Sequence, residues 1–169
     1  MTNAHSPQPS ASATIDIDIV IASPRWRDVP AVETIVERAI IAALPQDAEA
    51  SEVAVMLTDD AEIRTLNRQW RNEDHATNVL SFPQAAAAQG RPRLLGDIVI
   101  AYETTAREAA DEGKPLPDHL SHLAVHGLLH LLGYDHESNE QAEIMENLER
   151  RILAQLGVPD PYAARDSDA

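Results

Sequence analysis

The sequence predicts an α+β domain: one mixed sheet of about four strands covered by about five helices. Three observations carry this. Apolar periodicity switches between strand-like alternation and helical spacing in the order β-α-β-α-β-β-α-α-α. The chain of 169 residues shows no internal repeat and is long enough for a single core. A late segment, with Leu120, Leu123, Leu128 and Leu131, is apolar over most of its surface, which predicts a central, buried helix.

Residues 1–13 are rich in Ser, Pro and Ala without apolar periodicity, and read as a disordered tail. The domain is expected over residues 14–158. Thr14 to Ile21 alternates, as a strand with one buried face does. A helix follows from Pro30, its stripe made by Val32, Ile35, Val36, Ala39, Ile40 and Leu44, ending at Pro45. Glu52 to Leu57 is a second strand. Asp59 and Glu62 form a capping box for the next helix, in which Ile63, Leu66 and Trp70 are expected to face inward. Arg64, Arg68 and Arg71 lie along another side.

Asn78 to Phe82 is a short strand closed by Pro83. Gln84 to Arg93, rich in Ala, Gln and Gly, reads as a mobile loop. Leu94 to Ala101 is a strand with Gly96 as a bulge or close-approach point. Glu103 to Glu112 is a helix stopped by Gly113 and Pro115, and Pro117 opens the next. Ser138 and Gln141 cap the last helix, expected to bury Ile144, Met145, Leu148, Ile152 and Leu156. Gly157 and Pro159 end it, and residues 159–169 read as a polar tail.

The net charge of -15 disfavours nonspecific nucleic-acid binding, since phosphate contacts need Lys and Arg. The charge is uneven, however. Residues 61–107 carry six arginines (Arg64, Arg68, Arg71, Arg91, Arg93, Arg107) against five acids, which leaves room for a locally basic face. Cysteine is absent, so there is no disulfide and no thiolate metal site; this fits a reducing cytoplasm. No apolar run reaches 18 residues, so no membrane span is expected, and the N-terminus lacks the basic start and apolar core of a signal peptide.

The chemistry concentrates in His126-Gly-Leu-Leu-His130-Leu-Leu-Gly133-Tyr134-Asp135-His136. Histidines four apart on a helix project from one face and can meet at one ion. Gly133 can take the left-handed conformation that stops a helix, letting His136 return toward the other two. Three neutral nitrogens with an open fourth position suit one catalytic zinc ion rather than a closed structural site. The spacing matches H-E-x-x-H zinc metalloproteases, but Gly127 stands where their glutamate base would be.

Three motifs then coincide: Arg71-Asn-Glu-Asp-His-Ala-Thr-Asn78-Val-Leu-Ser-Phe-Pro83, Gly96-Asp97-Ile98, and the histidine run. Together they resemble the YbeY family of metal-dependent endoribonucleases, which share the ligand spacing of the metalloproteases and have glycine at the position of Gly127. The resemblance implies zinc on His126, His130 and His136 and a functional role for Arg71. It further implies single-strand-specific cleavage of precursor ribosomal RNA at the 16S 3′ end, ribosome quality control, cytoplasmic work, and small-subunit ribosomal proteins as partners. It leaves the oligomeric state open.

Each residue also has an alternative reading. Arg71 can bind phosphoryl oxygens through two parallel bonds, or merely complement a helix dipole. Asp97 can orient a ligand histidine, or cap a turn at the sheet edge. Asp135 can orient a ligand, act as a base, or shape a turn. His122 is expected to be a packed, hydrogen-bonded residue, because a fourth ligand would close the site; His119 and His75 are expected at the surface. The attacking oxygen is left open between water and the RNA's own 2′-hydroxyl. Two other functions fit the same residues: a metallopeptidase whose base comes from elsewhere, and a noncatalytic ribosome-assembly factor holding structural zinc.

Overall fold

The computed structural model describes residues 14–84 and 93–163. The N-terminal tail, most of the segment read as a mobile loop, and residues 164–169 lie outside the described residues.

The alternating run forms β1 (Ile15–Ile21), and α1 (Val32–Ala43) carries the chain back to β2 (Ser51–Thr58) alongside it. Helix α2 (Asp60–Arg71) leads into the hairpin of β3 (Val79–Pro83) and β4 (Arg93–Ala101), which returns the chain parallel to β2. The sheet order is β1-β2-β4-β3. The first two pairings are parallel and the last antiparallel, so β3 is an edge strand. Then come α3 (Tyr102–Asp111), α4 (Leu116–Leu131) and α5 (Asn139–Gln155). The expected mixed sheet and five helices are all present. A five-residue 3-10 helix at Pro24–Asp28, not expected, buries Trp26 completely, and its indole N–H donates to the Thr58 carbonyl at 2.9 Å.

The two sheet faces have different covers. Val53, Val55, Leu57, Ile98 and Ile100 join the main core with α1, α4 and α5. The other face holds a smaller cluster in which Ile63 of α2 meets Leu80, Val99 and Ala101. Helix α4 is the buried central helix expected from its composition.

Two glycines set the close approaches. Gly96 has φ +136°, and a Cβ there would lie 2.2 Å from the Phe82 carbonyl oxygen, so only glycine fits against β3, at the point where the pairing of β4 with β2 shifts register. A Cβ on Gly127 would lie 2.8 Å from Ile98 Cγ2. Glycine there lets α4 sit directly on β4.

Both expected caps are made: Asp59 accepts from Glu62 N, and Ser138 from Gln141 N. Two inward assignments change. Trp70 is 65% exposed; the inward place on α2 goes to Asn67, whose amide donates to the His75 carbonyl at 3.0 Å. Ile144 is 54% exposed because the inner stripe of α5 runs through Met145, Glu149, Ile152 and Leu153. The segment expected to be a polar tail is held against the domain as far as Tyr162: Asp160 pairs with Arg150 at 3.2 Å, and the Tyr162 hydroxyl donates to Glu149.

Candidate active site

Helix α4 presents His126 and His130 one turn apart, with ring centroids 4.5 Å from each other. The helix then stops as expected. Gly133 takes φ +103° and its N–H reaches the His130 carbonyl, while Tyr134 N–H reaches Leu129. The following turn is held by Asp135, whose Oδ1 accepts from the His136 backbone N–H at 2.7 Å. This returns the His136 ring to 5.0 Å from His130 and 5.7 Å from His126. One nitrogen from each of the three lies within 4.8 Å of the others, close enough to share an ion.

The hydrogen bonds fix which nitrogens are offered. His130 Nδ1 lies 2.9 Å from the Tyr134 carbonyl, which can only accept, so Nδ1 carries the proton. His126 Nδ1 lies 2.6 Å from Glu149 Oε1 and donates to it in the same way. Both Nε2 atoms therefore present lone pairs when the rings are neutral, and they face each other at 3.0 Å. Burial, and then the neighbouring His126 and His136, hold the His130 pKa below its ordinary value, favouring the neutral ring. Two lone pairs that close repel unless a cation or proton lies between them. This donor set fits a divalent metal bound by imidazoles.

Glu149 is a candidate site residue that the sequence does not single out. It is fully buried, with Oε1 on His126 and Oε2 on His122 Nε2 at 2.9 Å and on the Tyr162 hydroxyl. Burial pushes its carboxyl up, but the hydrogen bonds from His122 and His126 outweigh it and hold the pKa down at about 2. An ionised carboxylate behind a ligand histidine fixes its tautomer and orientation. His122 is the packed, hydrogen-bonded residue expected of it. His122, His126 and Glu149 also lie close enough to form a second metal-capable group, but the bonds among them already use their facing atoms. His119, expected at the surface, is 5% exposed and bonds to Glu108 at 3.0 Å. His75 is exposed, as expected.

Arg71 is the last residue of α2, which ends as Asn72 turns to φ +56°. That helix packs on the sheet face opposite α4, yet Arg71 reaches round the β3 edge. Its Nη2 donates to the Ser81 carbonyl at 2.7 Å, and the Ser81 hydroxyl donates to the Gly127 carbonyl at 3.2 Å. Arg71, Ser81, Asp135 and the three histidines line one cleft of about 560 Å³. Asp97, read either as orienting a ligand histidine or as capping a turn at the sheet edge, is not among the residues lining that cleft. Strand alternation points its neighbour Ile98 at α4 and leaves Asp97 in the groove on the other face. A glutamate at position 127, as in the metalloproteases, would be driven into Ile98.

The family model described as Endoribonuclease YbeY matches residues 22–157. The chain belongs to the YbeY family. An endoribonuclease YbeY from Rhodopseudomonas palustris (strain BisA53) is 60% identical over 156 residues, covering 88% of this chain and 91% of the relative. One from Bradyrhizobium sp. (strain BTAi1 / ATCC BAA-1182) is 59% identical over 157 residues, covering 88% and 93%. The solution structure of TM1509 from Thermotoga maritima superposes with a TM-score of 0.52 at 25% identity, covering 83% of this chain and 91% of that one. As a YbeY-family chain, this protein has the nuclease relationship that its three motifs suggest. No helix among the described residues is long and apolar enough to cross a membrane.

Proposed function

We propose that this chain is a zinc-dependent endoribonuclease that cuts single-stranded RNA in the cytoplasm. Its substrate on this reading is precursor ribosomal RNA at the 16S 3′ end, met with small-subunit ribosomal proteins, in maturation and quality control of the ribosome. The observation that carries the reading is the position of Arg71, a guanidinium held at the rim of the three-histidine cleft by an edge strand.

His126, His130 and His136 would hold the ion, with Glu149 and the Tyr134 carbonyl keeping two of the rings in the ligating tautomer. An ion held by these three rings would supply Lewis acidity toward a phosphate oxygen. One bond from Arg71 goes to Ser81, so its other N–H groups remain to bind phosphoryl oxygens and to gain strength as charge builds on them. Asp135 uses one oxygen to hold the His136 turn, which leaves the other as a proton acceptor at the cleft wall.

The test couples metal analysis to single-turnover cleavage of a ribosomal RNA precursor fragment. About one zinc per chain is expected, with cutting abolished by chelation. Arg71→Ala should keep zinc and fold but cut about a hundredfold or more slowly, the order seen when a charge-stabilising donor is lost. Arg71→Lys should recover only part, because an ammonium lacks the two-pronged geometry. Cutting of bound RNA by Arg71→Ala at the wild-type rate would overturn the assignment.

A further inference from the structure

The sheet face that carries α2 is only partly covered by it. Beside the helix lies a groove of about 1060 Å³, with Val20, Met56 and Val99 along its sheet side and Trp70 and Phe82 among its walls. Val20 is 49% exposed and Trp70 65%. Trp70 meets Phe82 at a steep angle, with centroids 6.4 Å apart at 65°, and most of the indole stays open to solvent. Arg71, Ser81 and Pro83 line this groove and also line the histidine cleft. The groove is therefore a continuation of the cleft around the β3 edge.

Resting on the RNA reading above, we propose that this groove is a nucleobase subsite, in which a base flanking the cut phosphate stacks on Trp70. The charges on its walls select that occupant. Arg71 is the one cation among the described residues lining it, and it stands at the junction, while Glu73 and Asp97 are acidic. A phosphate is drawn to the junction and repelled from the groove beyond it. The part of a nucleotide that suits an apolar, partly acidic groove is the base. Aromatic rings stack on any base, which suits a single strand whose bases are splayed. The Asp97 carboxylate, exposed in the same groove, is a hydrogen-bond acceptor for the amino group of a cytosine, adenine or guanine edge. A duplex, with its bases paired inward, cannot offer one to this groove.

The chain contains two tryptophans, and Trp26 is wholly buried, so emission that acrylamide quenches reports Trp70. The probe is a short single-stranded oligonucleotide of the cleaved sequence, 2′-O-methylated throughout, added to the full zinc-loaded chain. Binding should shield Trp70 from acrylamide. Trp70→Ala should weaken binding roughly five- to a hundredfold, the loss of one stacked base, and in cleavage of unmodified RNA the loss should fall on KM. Trp70→Phe should restore most of it. A strand with an abasic residue beside the cut bond should lose the same factor with wild type and nothing further with Trp70→Ala. The inference is overturned if RNA binds and is cut while Trp70 stays equally quenchable and Trp70→Ala keeps full affinity. It is also overturned if Trp70 is shielded in the free chain, or by purified small-subunit ribosomal proteins and not by RNA. RNA that is neither bound nor cut by wild type would remove the endoribonuclease reading itself, a separate result.

Discussion

Replacing Glu149 by glutamine tests whether a carboxylate behind a proposed ligand histidine sets the affinity for zinc. The side chains have nearly the same shape, so the fully buried site can be filled. Their hydrogen bonding differs. Glu149 accepts from His126 Nδ1 at 2.6 Å, from His122 Nε2 at 2.9 Å and from Tyr162. An amide has one accepting end and one donating end. Turned one way, its NH₂ faces the His126 N–H and drives that ring to the other tautomer, putting a proton on the Nε2 that the metal needs. Turned the other way, it meets the donors from His122 and Tyr162. A charge-assisted bond of this kind is worth about 1.5–3 kcal/mol. That corresponds to roughly ten- to a hundredfold in zinc affinity, also the usual cost of losing a carboxylate behind a ligand histidine. The assay is zinc competition against a chromophoric chelator, with denaturant unfolding of the metal-free chain as control. Glu149→Gln with wild-type zinc affinity would refute the reasoning.

Three further outcomes are expected. Gly127→Ala should lower stability: the helix-propensity gain of about 1 kcal/mol is smaller than the roughly 1–3 kcal/mol of pressing a methyl to 2.8 Å from buried Ile98 Cγ2, so a raised Tm would show that β4 yields. Gly96→Ala should cost more, since φ +136° and a backbone oxygen at 2.2 Å both oppose it; denaturant midpoints rank the two variants. With its folded pKa at about 2 against an ordinary 4.5, the Glu149 carboxylate adds stability above pH 4.5 that is lost as pH falls through the folded value. The component is about 3 kcal/mol, and the gap between wild type and Glu149→Gln in the metal-free chain should shrink across that window; a constant gap would exclude it.

The histidine site could be read from the sequence because its parts are local. Four- and six-residue steps around a helix stop define where three rings go, and Gly133 marks the stop. Gly96 was legible for a similar reason, as a glycine inside a strand pattern. Glu149 was not: it lies 23 residues from His126, on another helix, in a stripe that reads as ordinary core apart from one acid between Met145 and Ile152. That acid in an apolar stripe was the available signal. Trp70 and Ile144 show the opposite limit. Periodicity marks an apolar side of a helix but not how far the neighbouring element extends to cover it. Asp97 is a matter of parity, because a strand residue belongs to one face or the other and the motif around it does not say which.

The link Arg71–Ser81–Gly127 bears on the order in which activity appears as the chain folds. The three histidines sit within one short stretch, whereas the Ser81–Gly127 contact spans 46 residues and needs β3 seated beside β4. Local contacts form early, and long-range strand pairing forms late. Imidazoles on a nascent helix can collect their ion while the guanidinium is still elsewhere. On the proposed function, a half-folded chain would then be metal-loaded but silent toward RNA. In refolding, zinc uptake should precede the return of cutting, and Ser81→Ala should lengthen that lag.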